Sequence, residues 1–245
     1  MRKEPSRLGS IILGLSLLGL LAVLIILFGA RLGLWEPIVG FQLARTYMNP
    51  IAYSILGLGV AGFIYQLVVS NRCGAIKSAF AGLVGLALLA PVIISSVMPA
   101  QSFPPIHDIT TNTNNPPAFL VLDESRKGAK NSLVYGGAEV AEMQKKAYAD
   151  IAPIQTSKTA QQAFSESLRV ANEMGWEIVA QDENALRFEA SARTPVFQFV
   201  DDVVVTVTTE GSVSRVDIRS VSRIGRSDRG ANAARIREFI ETFDQ

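Results

Sequence analysis

Long uncharged apolar stretches dominate the first hundred residues, and shorter hydrophobic periods follow them. Ile11–Ala30, Ile51–Ser70 and Ala79–Met98 contain no Asp, Glu, Lys or Arg. A helix needs about 20 apolar residues to cross the hydrocarbon core of a bilayer. The pattern therefore predicts three transmembrane helices, at residues 11–30, 51–70 and 79–98, within a membrane domain of residues 1–98.

The first apolar stretch also has features of a signal peptide, because Arg2, Lys3 and Arg7 precede it. Its core of about 20 residues is longer than the usual 7–15 of a signal peptide. We therefore interpret it as a retained span. Small residues four apart, such as Gly57 with Ala61, predict close packing of the spans.

Two further regions follow the spans. Residues 99–119 form a Pro-rich linker, in which the prolines rule out a continuous helix. Residues 120–245 form a soluble domain, and a segment of this length supports a single hydrophobic core. Helical patterns cover Ala138–Tyr148, Thr159–Met174 and Arg229–Phe243. Thr159 and Gln162 have the spacing of a capping box at the start of the second helix.

Between the second and third helical patterns, the hydrophobic period changes to two. Phe188 and Ala190 alternate with Arg187 and Glu189, which is typical of a strand with one buried face. By the same reasoning, the charged positions of the last strand face solvent. The order of elements predicts an α+β domain, with an antiparallel four-stranded meander packed against helices. The predicted strands are Trp176–Gln181, Leu186–Arg193, Val196–Thr208 and Val213–Arg223.

Charge is distributed unevenly along the chain. Residues 1–100 carry a net charge of +5 and residues 101–245 carry −4, although the whole chain has only +1. A mildly acidic domain has no overall electrostatic attraction to nucleic acid, so nucleic acid is not an expected partner. Cys73 is the single cysteine and lies outside the soluble domain, which excludes a disulfide or a Cys-based metal site there.

Basic residues near the spans predict the orientation of the chain. If all three stretches cross, the N-terminal tail and the loop after the second span share one side and carry five basic residues. Arg31 and Arg45 are the two on the opposite side. The positive-inside rule then places the N-terminus in the cytoplasm and the C-terminal domain outside it. In a Gram-negative cell, this means a multi-pass inner-membrane protein with a periplasmic domain.

The densest chemical cluster is the segment Arg219–Arg237, which contains six arginines. Guanidinium groups and free backbone N–H groups at a helix start can bind phosphate or carboxylate. The alternative is that nearby aspartates neutralise the arginines. The candidate ligand-binding residues are Asp202, Arg219, Arg223, Arg226, Ser227, Asp228, Asn232 and Arg235.

The hairpin geometry predicts that Asp201 and Asp202 meet the Arg219–Arg237 segment. The third and fourth strands are joined by a tight turn at residues 210–212, and residues equally far from a turn face each other. Asp202 is nine residues before Gly211 and Ser220 is nine after it.

Other candidates for chemistry are weaker. His107 is the only histidine, and adjacent side chains such as His107 and Asp108 point to opposite sides of an extended segment. Asp201 and Asp202 could contribute to a Ca²⁺ or Mg²⁺ site only with a third oxygen donor. We therefore predict no hydrolase of the Ser–His–Asp or zinc type, and no catalytic residue, metal or cofactor is indicated.

Several motifs resemble a known bacterial family. The stretches Ile106–Thr113, Asn115–Phe119, Asp201–Val205 and Val216–Arg237 are similar to the domain of unknown function 1499 family. The resemblance covers residues 103–243, nearly the whole soluble domain. It implies a family without an assigned activity, often preceded by membrane spans. Thr206 stands where many members are expected to have Arg.

Two functional interpretations remain open. The first is a non-enzymatic cell-envelope module, held in the bilayer, whose domain binds an anionic ligand or an envelope protein through the Arg-rich turn. The second is an envelope hydrolase that uses His107 and Asp108, or Asp201 and Asp202, on a phosphate ester or glycan. The sequence leaves the oligomeric state open.

Overall fold

The computed structural model describes residues 7–98 and 102–244. Arg2 and Lys3, which contribute to the predicted orientation, and linker residues 99–101 lie outside the described residues. The chain forms two compact units. One unit comprises Met1–Gln101 with Val196–Gln198, and the other comprises Ser102–Pro195 with Phe199–Gln245.

The first unit is helical. Helices α1 (Arg7–Phe28) and α2 (Pro37–Val68) are each long and apolar enough to cross a membrane. Helices α3 (Arg72–Leu88) and α4 (Ala90–Val97) are bent by 50° relative to each other and would make a third span if they cross together. The second helix starts 14 residues earlier than the uncharged stretch suggested. The prediction placed the start too late because it required a stretch without charges, whereas Arg45 lies within the helix and Glu36 directly before it.

Glycines allow close contact between α2 and α3. A Cβ atom built on Gly59 would lie 2.3 Å from the backbone nitrogen of Gly82, and one built on Gly85 would lie 2.4 Å from that of Leu56. Gly57, which belongs to a predicted packing pair, has no atom within 4 Å of its Cβ position. The small-residue packing is therefore real, but it uses a different face of α2.

The second unit contains a six-stranded antiparallel sheet, not the predicted four-stranded meander. Its strand order is β1-β6-β5-β4-β3, and β2 also pairs with β6. The two additional strands have three residues each, too few for a period-two pattern to be recognised. The strands are β1 (Asp108–Thr110), β2 (Ile154–Thr156), β3 (Glu177–Asp182), β4 (Arg187–Arg193), β5 (Val200–Glu210) and β6 (Val213–Ser222).

Helices cover one face of this sheet. They are α5 (Gly137–Ala147), α6 (Ala160–Glu173) and α7 (Ala231–Phe243). The predicted capping box of Thr159 and Gln162 is present at the start of α6. Between helices and sheet lies the hydrophobic core, which includes Phe164, Phe188 and Phe239.

One strand departs from strict alternation. The register of β3 with β4 shifts between Ile178 and Ala180, so the regular period of two predicted for Trp176–Gln181 does not continue past Ile178. This bulge leaves Val179 43% exposed. A bulge inserts one extra residue in a strand and reverses the faces of those that follow.

The opposite face of the sheet is also covered. Residues 111–135, which we call the cover segment, contain no helix or strand and lie against this face. Glu189 and Arg219, predicted to face solvent, are 1% and 2% exposed because the cover segment lies over them. The sheet is therefore buried on both sides, with apolar packing on one face and paired charges on the other.

The two ends of the sheet differ. At one end, the Gln144 side chain accepts a hydrogen bond from the Thr110 backbone N–H at 3.0 Å and donates one to the Thr110 carbonyl at 2.6 Å. This side-chain amide pairs with β1 as a neighbouring strand would. At the other end, β3 pairs only with β4 among the described strands.

Candidate binding site around the arginine-rich turn

Asp202 lies at the centre of the charged face. Its side chain is fully buried, with both carboxylate oxygens occupied. Arg126 donates from Nε at 2.7 Å, Arg223 donates from Nη2 at 2.8 Å, and Ser191 donates from Oγ at 3.1 Å. Two guanidinium groups thus neutralise one buried carboxylate. Such a group is costly to bury without partners.

The hairpin between β5 and β6 brings these residues together. Asp202 pairs with Val221, so the predicted pairing with Ser220 is off by one position. The turn has two residues, Gly211 and Ser212, between the paired Glu210 and Val213. The centre of the turn therefore lies half a residue beyond Gly211. Asp202 and Arg223 nevertheless point to the same face, and the predicted meeting of the two segments occurs there.

Arg219, predicted to lie near Asp201 and Asp202, binds Asp108 instead. Its Nε and Nη2 atoms donate to the two carboxylate oxygens of Asp108 at 2.9 and 2.7 Å. The guanidinium also lies over the rings of Phe119 and Tyr135, 5.4 Å from each centroid. Burial, and to a smaller extent the charge of Asp108, raises the pKa of Tyr135 to about 12.

A third buried pair lies on the helix-covered face. Arg235 of α7 donates to Asp201 at 2.5 Å and to the hydroxyl of Ser220 at 3.0 Å. Asn232 joins this network, since its Oδ1 accepts from Ser220 at 2.7 Å. Asp201 and Asp202 therefore point to opposite faces of the sheet, each towards its own arginine. This arrangement does not suit a cation held jointly by the two carboxylates.

The start of α7 already has an anion of its own chain. The carboxylate of Asp228 accepts from the backbone N–H groups of Gly230 and Asn232 at 3.0 and 2.8 Å. Ser227 donates its hydroxyl proton to the carbonyl of Pro104 at 2.8 Å. Burial raises the pKa of Asp228 above its usual value, although the two backbone hydrogen bonds oppose this shift.

The carboxylates of the hydrolase alternative are paired with arginines, and His107 is held through its backbone. The carboxylate of Asp108 is bound by Arg219, and the backbone carbonyl of His107 accepts from the Ser222 N–H at 2.9 Å and the Asn232 side chain at 3.0 Å. Within residues 7–98 and 102–244, no group of three His, Cys, Asp or Glu side chains has the geometry of a metal site.

Four basic side chains remain exposed around this network. Arg226 and Arg229 lie in the turn after β6, and Lys127 and Lys130 lie in the cover segment. Hydrogen bonds join the two loops: Lys130 N–H donates to the Arg223 carbonyl at 2.7 Å. In the part of the chain that the structure describes, no carboxylate lies within ion-pair distance of these four groups. We call Lys127, Lys130, Arg226 and Arg229 the basic rim.

Of the candidate ligand-binding residues, only Arg226 is an exposed cation. Arg219, Arg223 and Arg235 are engaged with aspartates. Lys127 and Lys130 carried no sequence signal, because isolated lysines in a polar stretch are common. Arg126 and Glu189 were missed for a similar reason: nothing local distinguishes a buried ionic residue from a solvated one.

The soluble domain matches a known protein family. Residues 108–243 match the family described as "Protein of unknown function (DUF1499)", and the match covers more than half of the chain. The chain therefore belongs to this family. No curated protein matches the sequence significantly. The buried residues Asp108, Asp202 and Arg219 all lie within the matched region.

Proposed function

We propose that this protein is a non-enzymatic membrane-anchored module whose soluble domain binds an anionic partner through the basic rim. The supporting observation is that the basic residues fall into two groups, one buried and paired and the other exposed. Arg126, Arg219 and Arg223 are neutralised within the domain, whereas the four side chains of the basic rim are exposed and unpaired among the described residues.

Hydrogen bonds from the buried network hold the two loops of the basic rim in place. Arg223 donates from Nη1 to the carbonyl of Lys127 at 2.9 Å, and Asn131 donates its side-chain amide to the carbonyl of Gly225 at 2.9 Å. Both loops of the rim are therefore tied to the same strand end. Prearranged cations attract an anionic surface and increase its rate of association. They provide hydrogen-bond donors but no general base, which suits binding rather than turnover.

Binding can be tested with the full-length protein in nanodiscs of neutral lipid. The probe is a fluorescent hexaglutamate peptide, and affinity is measured by anisotropy at several salt concentrations. Replacement of Arg226 and Arg229 by Gln should weaken binding by about tenfold and reduce its salt dependence. A matched control replaces Lys145 and Lys146 by Gln, since both are exposed on α5 and neither belongs to the rim.

The two double variants distinguish a specific rim from general attraction to positive charge. Equal loss of affinity in both would contradict the proposed site. Failure of the wild-type protein to bind either the peptide or inorganic pyrophosphate would contradict the anionic partner itself. Circular dichroism of each variant checks that the fold is retained.

We also propose that three spans cross the membrane, with the N-terminus in the cytoplasm and the domain outside, as in a bacterial inner-membrane protein with a periplasmic domain. The excess of basic residues beside the first and third spans supports this orientation. Alkaline phosphatase fused after Gln101 should be active, and a fusion at Gly74 should be inactive. The reverse pattern would place the domain in the cytosol.

A further inference from the structure

The sheet has an open edge at β3, at the opposite end of the strand order from β1. β3 is the last strand, and its outer side faces no other described strand. The opposite end is divided between the three-residue strands β1 and β2, and Gln144 occupies the backbone groups of Thr110. An unpaired strand edge offers a row of N–H and C=O groups to an incoming chain.

A cleft runs beside this open edge. It has a volume of about 500 Å³ and is lined by β3 residues from Ala180 to Asp182, by the turn that follows them, by Arg187, Phe188 and Glu189 of β4, and by Leu120 and Val121 of the cover segment. Leu120 and Val121 are 70% and 59% exposed, and Val179 on β3 is 43% exposed. In strand addition, an extended peptide pairs with an unpaired strand edge through backbone hydrogen bonds, and pockets beside the edge select its side chains. The open edge of β3 and the exposed apolar side chains beside it provide both features.

Buried charge holds the apolar wall of the cleft in place. The carboxylate of Glu189 accepts hydrogen bonds from the backbone N–H groups of Leu120, Val121 and Leu122, at 2.6 to 3.2 Å. Arg187 donates to the same carboxylate at 2.9 Å and to the carbonyl of Ala118 at 2.7 Å. Leu120 and Val121 therefore project from a backbone that is anchored to β4. A prearranged wall reduces the entropic cost of binding.

The charges at this edge indicate the sign of the partner. Glu177, Asp182 and Glu183 are exposed along β3 and its turn. Arg187 is bound to Glu189, and Arg193 approaches Glu177 only at 4.0 Å. A second copy of this chain would fit poorly, because antiparallel pairing of β3 about its own midpoint would place Glu177 opposite Asp182. Like charges directly opposite each other destabilise a pair of strands.

We propose that the outer edge of β3 binds an extended peptide segment of another protein, in which basic residues alternate with apolar ones. The peptide adds as a further strand, its apolar side chains contact Leu120 and Val121, and its cations are attracted by the exposed carboxylates of Glu177 and Glu183. This site is separate from the basic rim in both residues and charge, so either proposal can be refuted independently of the other.

The test uses the full-length protein in neutral nanodiscs and a labelled eight-residue peptide of alternating Lys and Val. The expected result is saturable binding that is lost when alternate amides of the peptide are N-methylated, because methylation removes the donors of strand pairing. A peptide of alternating Glu and Val should bind at least about tenfold more weakly, with both peptides compared in the variant that has Gln at positions 226 and 229 so that the basic rim does not retain the acidic one. Equal binding of the methylated and unmethylated peptides would overturn strand addition.

Variants locate the site. Replacement of Leu120 and Val121 by Ser keeps the backbone donors to Glu189 and should lower affinity by about tenfold. Val134→Ser is the matched control, since Val134 is 79% exposed but does not line the cleft. Replacement of Glu177 and Glu183 by Lys should reverse the preference between the two peptides.

Other outcomes would contradict the proposal. An unchanged affinity in the Leu120 and Val121 variant would exclude the cleft. Hydrogen exchange on the bound complex should slow at residues 177–182, and protection elsewhere without protection of β3 would also overturn the inference.

Discussion

The guanidinium of Arg219 and the carboxylate of Asp108 bind each other through two hydrogen bonds although the two residues are 111 positions apart. Arg219 also donates to the carbonyls of Pro117 and Leu133, at 3.1 and 2.7 Å. One side chain therefore joins the last strand, the first strand and both ends of the cover segment. The loss of this residue should affect the whole charged face.

We expect Arg219→Ala to destabilise the domain by about 3–5 kcal/mol, because the buried Asp108 carboxylate loses its partner. Thermal unfolding of the detergent-solubilised protein, followed by near-ultraviolet circular dichroism, measures the change. Arg229→Ala is the control and should alter stability by no more than about 0.5 kcal/mol, since this side chain is exposed. Similar melting curves for the two variants would show that the Asp108 pair contributes little.

Arg126 and Arg223 should be strongly coupled, because both bind the carboxylate of Asp202. When either one is replaced by Gln, the other still neutralises Asp202. The double variant leaves this buried carboxylate without a cation, so its cost should exceed the sum of the single costs by about 0.5–3 kcal/mol. Chemical unfolding of the four proteins measures the coupling. As a control, Arg223 combined with the exposed Arg169 should give additive effects.

Asp228 should make the domain less stable as the pH rises. Its folded-state pKa is raised above 3.8, mainly by burial, so the folded protein holds this proton more tightly than the unfolded chain. Stability from this group is present below the unfolded pKa and is lost as pH rises through the folded value. Asp228→Asn retains an acceptor for the helix N–H groups and should gain stability relative to wild type as the pH increases.

Asp150 provides a control of opposite sign. A hydrogen bond from Arg237 lowers the pKa of Asp150, so its contribution is present above the unfolded value and lost as pH falls through the folded one. Asp150→Asn should therefore lose stability relative to wild type as pH rises from strongly acidic values. Melting temperatures measured across this range check both assignments: a relative loss of stability in Asp228→Asn would contradict the first, and a relative gain in Asp150→Asn would contradict the second.

Glu189→Gln should release the backbone of Leu120–Leu122. The amide has one acceptor oxygen where the carboxylate has two, and its NH₂ group faces backbone donors. Hydrogen exchange at Leu120–Leu122 should accelerate by about 100-fold, equivalent to about 2.7 kcal/mol, whereas exchange in α6 stays unchanged. The exposed Glu183 gives a matched control with Glu183→Gln. Unaltered protection in the Glu189 variant would show that other contacts hold this segment.

Gly59→Ala should weaken the contact between α2 and α3, because its added methyl group would overlap the backbone of Gly82. The expected loss is about 1–3 kcal/mol in unfolding of the helical unit by a denaturing detergent. Gly57→Ala adds the same methyl group where no atom lies within 4 Å, and should be neutral or stabilising. Equal effects of the two substitutions would argue against the observed helix face.

The regular elements with clear periodicity were predictable. The stripe of α6 and its capping box, the β4 alternation and the hairpin of β5 with β6 all follow from local residue patterns. The one-residue error in pairing Asp202 arose because the identity of the turn residues does not by itself give the centre of a turn. The bulge after Ile178 has no local signal, since it depends on how β4 packs.

The burial of the charged face could not be predicted in the same way. Alternating charges in β4 and β6 have the same pattern whether water or a coil covers them. The cover segment is rich in Asn and contains Pro116 and Pro117, which is typical of an exposed loop. Its position depends on ion pairs such as Arg126 with Asp202, 76 residues apart. Distant partners, and not local preference, decide which arginines remain available to a ligand.

The side chain of Gln144 closes one edge of the sheet to further strand pairing. Proteins confined to a bilayer meet one another far more often than the same number of molecules free in solution, and sheets open at both ends can join into continuous ribbons. Here the amide of Gln144 occupies the position of the next neighbour beside Thr110. Because this end of the sheet is closed, successive copies cannot join through Thr110 into a continuous ribbon, and strand pairing with other chains is restricted to the far end.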